Sequence, residues 1–254
     1  MTRLQITKFL TSILFAGLMI PLTSASMTPD PVRTVIPVMI QIQSPGPGSQ
    51  ITSPLLLKVH TPCGADGLVN ISLMDANNLV LSRQIIRQDC DQGDIADLAV
   101  SMYFDVQKEA VPARIVVSIE DRYDRPAALS SVDVNLVAAH SKITPPADSK
   151  PVFKILAPTA GSALPVNSIT VSGEMLPSGN NPIILEIMTS TGIILGSRQV
   201  PVPESSNTEY FPFSVDIPVN EVAERQDVRL IIRQMGDNIP GNIALSSVEF
   251  FIEP

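Results

Sequence analysis

The stretches SPGPGSQITSPLLLKV (44–59) and APTAGSALPVNSITVSG (157–173) open with the same events in the same order. Each has a residue before Pro, a Gly-containing turn, a short apolar step, a second turn and then an apolar run. Gly and Pro punctuate local structure strongly, so shared punctuation ahead of two strand-like runs points to one unit written twice. The match continues outward. VNISLMDANNLVLSRQ from Val69 aligns with ILEIMTSTGIILGSRQ from Ile184, each an alternating strand, a polar turn and a second apolar strand ending in Arg-Gln. Farther on, RIVVSIEDRYDRPAALSSVDVNL from Arg114 pairs with RLIIRQMGDNIPGNIALSSVEFFI from Arg229, and both contain ALSSV, at Ala128 and Ala244. The shared order, rather than any one pentapeptide, specifies duplication.

Within a unit, VMIQIQSP places Met39, Gln41 and Gln43 on one face and Val38, Ile40 and Ile42 on the other, the alternation of a half-buried strand. RIVVSI and RLIIRQ read as central strands late in each unit, with SSVDVNL and SSVEFFI as the last strands. The window PVNEVAERQDV around Glu221 reads as a single turn between strands. Many short Val- and Ile-rich strands separated by Pro, Gly, Asn and Asp give an all-β chain. About seven strands per unit suffice for two packed sheets, so the expected fold is two tandem immunoglobulin-like β-sandwiches. The units fall at 34–138 and 151–254, joined by a short Pro-containing linker at 139–150. Its Pro145-Pro146 pair favours an extended, semi-rigid spacer, which places the units end to end.

The carrying stretches 44–59 with SLMDANNLVL, and 157–173 with EIMTSTGIIL, resemble the immunoglobulin-like domain of bacterial spore germination and sporulation proteins and of other extracytoplasmic bacterial proteins. The resemblance covers nearly all of the chain after its first segment. It implies a sandwich fold in two copies and a non-catalytic module that accompanies other functional domains.

The start, MTRLQITKFLTSILFAGLMIPLTSASM, has Arg3 and Lys8, then an apolar core from Phe9 to Ile20, then Thr23-Ser24-Ala25. That order reads as a secretory signal peptide over 1–25. The apolar run is shorter than the roughly 20 residues that span a bilayer. No integral membrane segment is expected after cleavage, and the localisation expected is extracytoplasmic: secreted, periplasmic or at the cell surface. Loss of Arg3 and Lys8 with a leader that holds no Asp or Glu takes the formal charge from −8 to −10. Nucleic acids and anionic lipids are bound mainly through Lys and Arg clusters, so neither is an expected partner.

Cys63 and Cys90 are the only cysteines, and in an exported chain they read as a disulfide. DCDQGDIAD supplies Asp89, Asp91 and Asp94 beside Cys90, with Asp97 following. Clustered carboxylates can hold calcium, but here Gly precedes the third Asp and no closing Glu follows, so a solvated acidic loop is the competing reading. His60 and His140 have no Gly-x-Ser-x-Gly partner, and two distant histidines fall short of a zinc set. No cofactor and no catalytic residue is expected. The chain has no Trp; Tyr103 and Tyr210 read as core or sheet-edge packing, and Tyr123, in the loop EDRYDRP, is the best exposed contact.

The function expected is therefore a non-enzymatic binding or spacer module at the bacterial cell envelope. It would meet an envelope protein or polymer through loops or strand edges. Two other readings compete: an enzyme or enzyme subunit acting on envelope polymers with carboxylates gathered between the units, and a calcium-dependent adhesive module.

Overall fold

The structure is a computed structural model that describes residues 39–91, 94–106, 110–147, 150–203, 209–220 and 222–254. The expected leader at 1–25 and Glu221 lie outside the described residues, which are all strand, turn and loop.

The first half has eight strands: β1 Gln41–Ser44, β2 Gln50–Ile51, β3 Leu55–Pro62, β4 Leu68–Asp75, β5 Val80–Arg87, β6 Ile95–Met102, β7 Val111–Glu120 and β8 Pro126–Leu136. One sheet has the order β1-β3-β6, and the other runs β5-β4-β7-β8 with β2 parallel to β8. The second half repeats this with β9 Phe153–Ala157, β10 Ala163–Pro165, β11 Ser168–Met175, β12 Ile183–Thr189, β13 Ile194–Val200, β14 Phe211–Pro218, β15 Gln226–Met235 and β16 Asn242–Glu253. Its sheets are β9-β11-β14 and β13-β12-β15-β16, with β10 parallel to β16. Three strands facing four, with the short second strand switching to the last, is the order of an immunoglobulin-like sandwich.

Alternation sets the inner faces, because successive side chains of a strand point to opposite sides. Leu55, Leu57 and Val59 face Val69, Ile71, Leu73, Ile115 and Val117 in the first core; Ile169, Val171, Ile183, Leu185, Ile187, Val228, Leu230 and Ile232 build the second. One substitution is compensated across a strand pair. Val59 lies opposite Leu98 in the first sandwich, and Gly173 lies opposite Phe213 in the second. A Cβ on Gly173 would run into the Lys154 carbonyl oxygen and come within 2.8 Å of the Phe213 ring, so the small residue makes room both for the neighbouring backbone and for the large ring. Gly173 thus corresponds to Val59.

Two expectations need correction. Aligning both copies on Arg-Gln sets Val69 against Ile184, yet buried Val69, Ile71 and Leu73 take the places of buried Ile183, Leu185 and Ile187. A one-residue slip would turn every side chain to the wrong face, so burial fixes the register and the shared Arg-Gln is not superposed. Gln84 and Arg198 occupy the same place instead. Each reaches from its edge strand to the facing sheet, Gln84 Nε2 donating to Ser101 O at 2.7 Å and Arg198 Nε to Asp216 O at 3.1 Å.

The second correction concerns the arrangement of the sandwiches, which do not sit end to end. β8 and β16 pair antiparallel through Ala128↔Ser246, Leu129↔Leu245 and Ser130↔Ala244, so the two larger sheets continue into one another. The linker does not stand free either. Its first part lies along the first sandwich, with Gln50 bridged to Lys142 and the Thr144 amide donating to Ser49 Oγ at 2.9 Å.

Candidate functional site

The ALSSV repeats meet each other, and the seam they form has a local two-fold through the Leu129–Leu245 pair. Ser131 Oγ donates across it to Ile243 O at 2.9 Å, and Ser247 Oγ donates across it to Ala127 O at 2.6 Å. Arg114 and Arg229, in the first half of β7 and β15, are related in the same way. Arg114 pairs with Asp133 on its own sandwich, at 2.6 Å and 3.0 Å, and donates across to Ile239 O at 2.8 Å. Arg229 pairs with Glu249 on its own sandwich at 2.7 Å and reaches across to Asp121 Oδ2 at 2.9 Å.

The loop of each sandwich after its central strand therefore covers the start of the other's central strand. This is why Arg114, Ile115, Val116 and Val117 are all buried, and likewise Arg229, Leu230, Ile231 and Ile232. A strand covered on both faces loses its alternation.

One end of the seam is ionic. Asp121, 3 % exposed, accepts from the backbone amides of Tyr123 and Arg125 at 2.8 and 2.9 Å and from the Arg125 side chain at 2.6 Å. Arg125, itself 2 % exposed, continues to Glu249 at 2.9 Å and Asp227 at 3.4 Å. Burial raises the Asp121 carboxyl, but the two amides and the Arg125 and Arg229 guanidinium groups outweigh it and hold the group below the usual aspartate range. The other end has no carboxylate across the seam: Arg114 meets carbonyls of the loop 236–241.

Asp121 ties Arg125 of its own sandwich to Arg229 of the other. A two-carboxylate hydrolase needs one group whose surroundings keep it protonated, whereas Asp121 is held ionised among cations. Glu120 does have a raised pKa, caused by burial and then by the charges of Asp124 and Asp66, partly offset by Arg83. A groove of about 650 Å³ beside the seam has Asp133 and Lys150 as its only ionisable lining residues among those described, and Asp133 is tied to Arg114.

Above the seam each sandwich presents a hairpin of matching construction. Asp75 Oδ1 accepts from the Asn77 and Leu79 amides, both at 2.8 Å, and Asn78 takes a φ of 65°. Thr189 Oγ1 accepts from the Thr191 and Ile193 amides at 3.3 and 3.1 Å, and Gly192 takes a φ of 83°. Past each tip come two exposed aliphatic residues: Leu79 and Val80 at 63 % and 49 %, Ile193 and Ile194 at 61 % and 48 %. The loop of the opposite sandwich lies alongside each hairpin. Arg125 Nη1 donates to Met188 O at 3.4 Å, and a Cβ on Gly241 would lie 3.6 Å from Asn78 Oδ1.

Tyr123 is 40 % exposed in the first of these loops, with the Arg122 and Arg125 guanidinium groups 4.8 and 4.9 Å from its ring centre. Tyr103 is not packed as expected but 69 % exposed, because it falls just past the end of β6. Tyr210 donates its hydroxyl to Pro151 O at 2.7 Å, under Lys154 Nζ at 3.4 Å from the ring centre. Cys63 and Cys90 form a disulfide. Asp89, Asp91 and Asp94 are exposed, and among the described residues no three of His, Cys, Asp and Glu gather to hold a metal. His60 Nδ1 lies 2.8 Å from Asp97 on the strand paired with its own.

The sequence reading missed the seam. Its signal was present in RIVV and RLII, whose unbroken apolar runs after an Arg mark strands covered on both faces.

No protein-family model and no curated protein matches the chain. Among solved structures it is similar to a chimeric titin Z1Z2-Z1Z2 tandem functionalised with a GRGDS peptide from fibronectin, at 9% identity and a TM-score of 0.25, over 84% of this chain and 95% of that one. It is similar to CBD12 from CALX1.2, at 9% identity and 0.24, over 84% and 100%. It is also similar to the N-terminal Ig1-2 module of the Drosophila receptor protein tyrosine phosphatase DLAR, at 12% identity and 0.22, over 85% and 100%. The strand order, and not these likenesses, carries the fold assignment.

Proposed function

We propose that the protein is a non-enzymatic, extracytoplasmic binding module of the bacterial cell envelope, delivered by the leader at 1–25. In this reading the units 34–138 and 151–254 act as one rigid body and bind an envelope protein or polymer. The observation that carries it is the repeated composite surface at the seam. Each aliphatic hairpin pair stands beside the loop of the opposite sandwich, so neither surface is complete on one sandwich alone. Exposed apolar pairs on firmly held hairpins, next to polar loops, are the composition of recognition surfaces. The disulfide is consistent with an oxidising compartment. The resemblance to germination-type extracytoplasmic domains agrees with this reading.

The test is co-sedimentation of residues 26–254 with the envelope fraction of the source organism, with crosslinking and mass spectrometry of what is retained. Retention of one protein or polymer that falls at least tenfold with Leu79→Ser/Val80→Ser or Ile193→Ser/Ile194→Ser, and severalfold with Tyr123→Ala, supports the reading. Loss of about 2 to 3 kcal/mol of apolar contact corresponds to such a change. Retention unaffected by all three variants, or none at all, would remove these surfaces as the binding element.

A further inference from the structure

The two sides of the seam carry like residues at like positions, which is the construction of an isologous interface. Consider a second copy of β8 set where β16 lies. Leu129 then faces Leu129, and each Ser131 meets an Ala127 carbonyl, as Ser247 does within the chain. Arg114 arrives where Arg229 stands, next to Asp121 and Arg125, with Asp133 in the place of Glu249. Both ends of such a pair are ionic: the Asp121, Arg125 and Arg114 contacts are kept at each end, and only the contacts of Arg122 and Arg125 with Asp227 are lost, since Pro112 stands at that place in the first sandwich. Two copies of the second sandwich fare worse. Each Arg229 would exchange the Asp121 carboxylate for the carbonyls of loop 236–241, which is how Arg114 is served now.

We propose that the β8 edge, with the loop 121–125, is a homotypic docking edge that accepts the same edge of a second copy of this chain once the second sandwich leaves it. The partner is thus a second copy joined through first sandwiches, and the closed seam is the state that hides this edge. The inference does not use the envelope ligand proposed above, and it concerns an open state in which the two sandwiches no longer form the one rigid body of that reading.

Arg229→Glu in the full chain breaks the seam from the second side and leaves the first side intact, since Glu at 229 faces Asp121 and Glu249. Sedimentation velocity at micromolar concentrations is expected to show the mass doubling. Adding Arg114→Glu should return the chain to monomer. Adding Leu129→Cys to Arg229→Glu should yield a covalent dimer on oxidation, and adding Leu245→Cys should not. A folded Arg229→Glu monomer at every concentration, a dimer indifferent to Arg114→Glu, or a dimer crosslinked through position 245 would each overturn the proposal. If Arg229→Glu does not fold, Leu129→Cys in the otherwise unaltered chain is held under slow oxidation. A covalent dimer then supports the homotypic edge, and persistence of monomer alone overturns it.

Discussion

The two sandwiches have one strand order and opposite ways of meeting each other. The first offers a loop tied around Asp121, in which amides and two guanidinium groups converge on a carboxylate that is 3 % exposed. The second offers a Gly- and Pro-containing loop whose carbonyls receive Arg114. The two sandwiches share the places of their strands and differ most in the loops each gives to the other. A scaffold tolerates exchange of loops far better than a change of strand register, because loops lie at the surface and register is fixed by burial.

The largest expected effect comes from breaking the ionic end. Asp121→Ala leaves Arg125 and Arg229 without the carboxylate they share, and removing one partner of a buried charge cluster costs about 3–5 kcal/mol. Urea unfolding of the variant should show the loss. It should also separate the melting of the two cores, since the seam is what joins them. Arg114→Met at the other end should cost less, because the Asp133 side chain it strands is already 48 % exposed and can be solvated. Equal losses at the two ends would break the comparison.

The disulfide belongs to the first sandwich alone. Closing a 27-residue separation contributes about 3.5 kcal/mol on the chain-entropy account. Cys63→Ser/Cys90→Ser should lower the unfolding midpoint of the first core and leave the second near its original value. If the midpoints fall together, the seam couples the cores more strongly than the bridge stabilises one of them.

Gly173 against Phe213 sharpens the contrast inside the cores. Gly173→Val overpacks the second sandwich and should cost about 1–3 kcal/mol. Phe213→Leu added to it relieves the contact with the ring but not the one with the Lys154 carbonyl, so it should recover only part of the loss. Calorimetry of the two variants gives the coupling directly. Additive losses would mean that the two positions do not share space.

Acid separates two neighbouring carboxylates of the first sandwich. Asp121 has a folded pKa below its unfolded value, so its contribution is complete above about pH 4 and is lost as pH falls through the depressed value. Glu120 has a raised folded pKa, so its ionisation costs stability above the ordinary glutamate value of about 4.3, and protonation removes that cost. Glu120→Gln should therefore stabilise the protein at neutral pH and make no difference below about pH 4. Asp121→Ala should flatten the acid limb of the stability curve.

How far the sequence could be read follows from the same contrast. Alternation reports burial on one face, so the sheets and both cores were legible in residues such as Val69, Ile71 and Leu73. Pairing between sheet edges is made by backbone groups and leaves little pattern in side chains, so ALSSV was visible as a repeat but not as a contact. Pro145-Pro146 carries no sign of where the linker is anchored, which is through Lys142 and Thr144 on the first sandwich. The alignment on Arg-Gln failed because identity was weighed above function: Gln84 and Arg198 perform the same reach to the facing sheet with different side chains. Tyr123 was legible as exposed. Its place beside the other sandwich was not, because that depends on the seam.

The smallest effect is expected at the acidic loop of the first sandwich, beside the disulfide. Calcium requires several oxygen ligands at once, carbonyls among them. The Asp91 carbonyl accepts the Asp94 amide at 3.0 Å and the Asp94 carbonyl accepts the Cys63 amide at 2.7 Å, so two nearby backbone oxygens are already engaged. A ligand present at ten times its Kd would add about 1.4 kcal/mol, enough to raise the melting temperature by a few degrees. Millimolar calcium should instead shift the midpoint by less than about 1 °C relative to chelator, within what ionic screening of exposed carboxylates allows. A rise of several degrees that disappears with Asp91→Asn would make the loop a cation site and give the first sandwich a function that the second lacks.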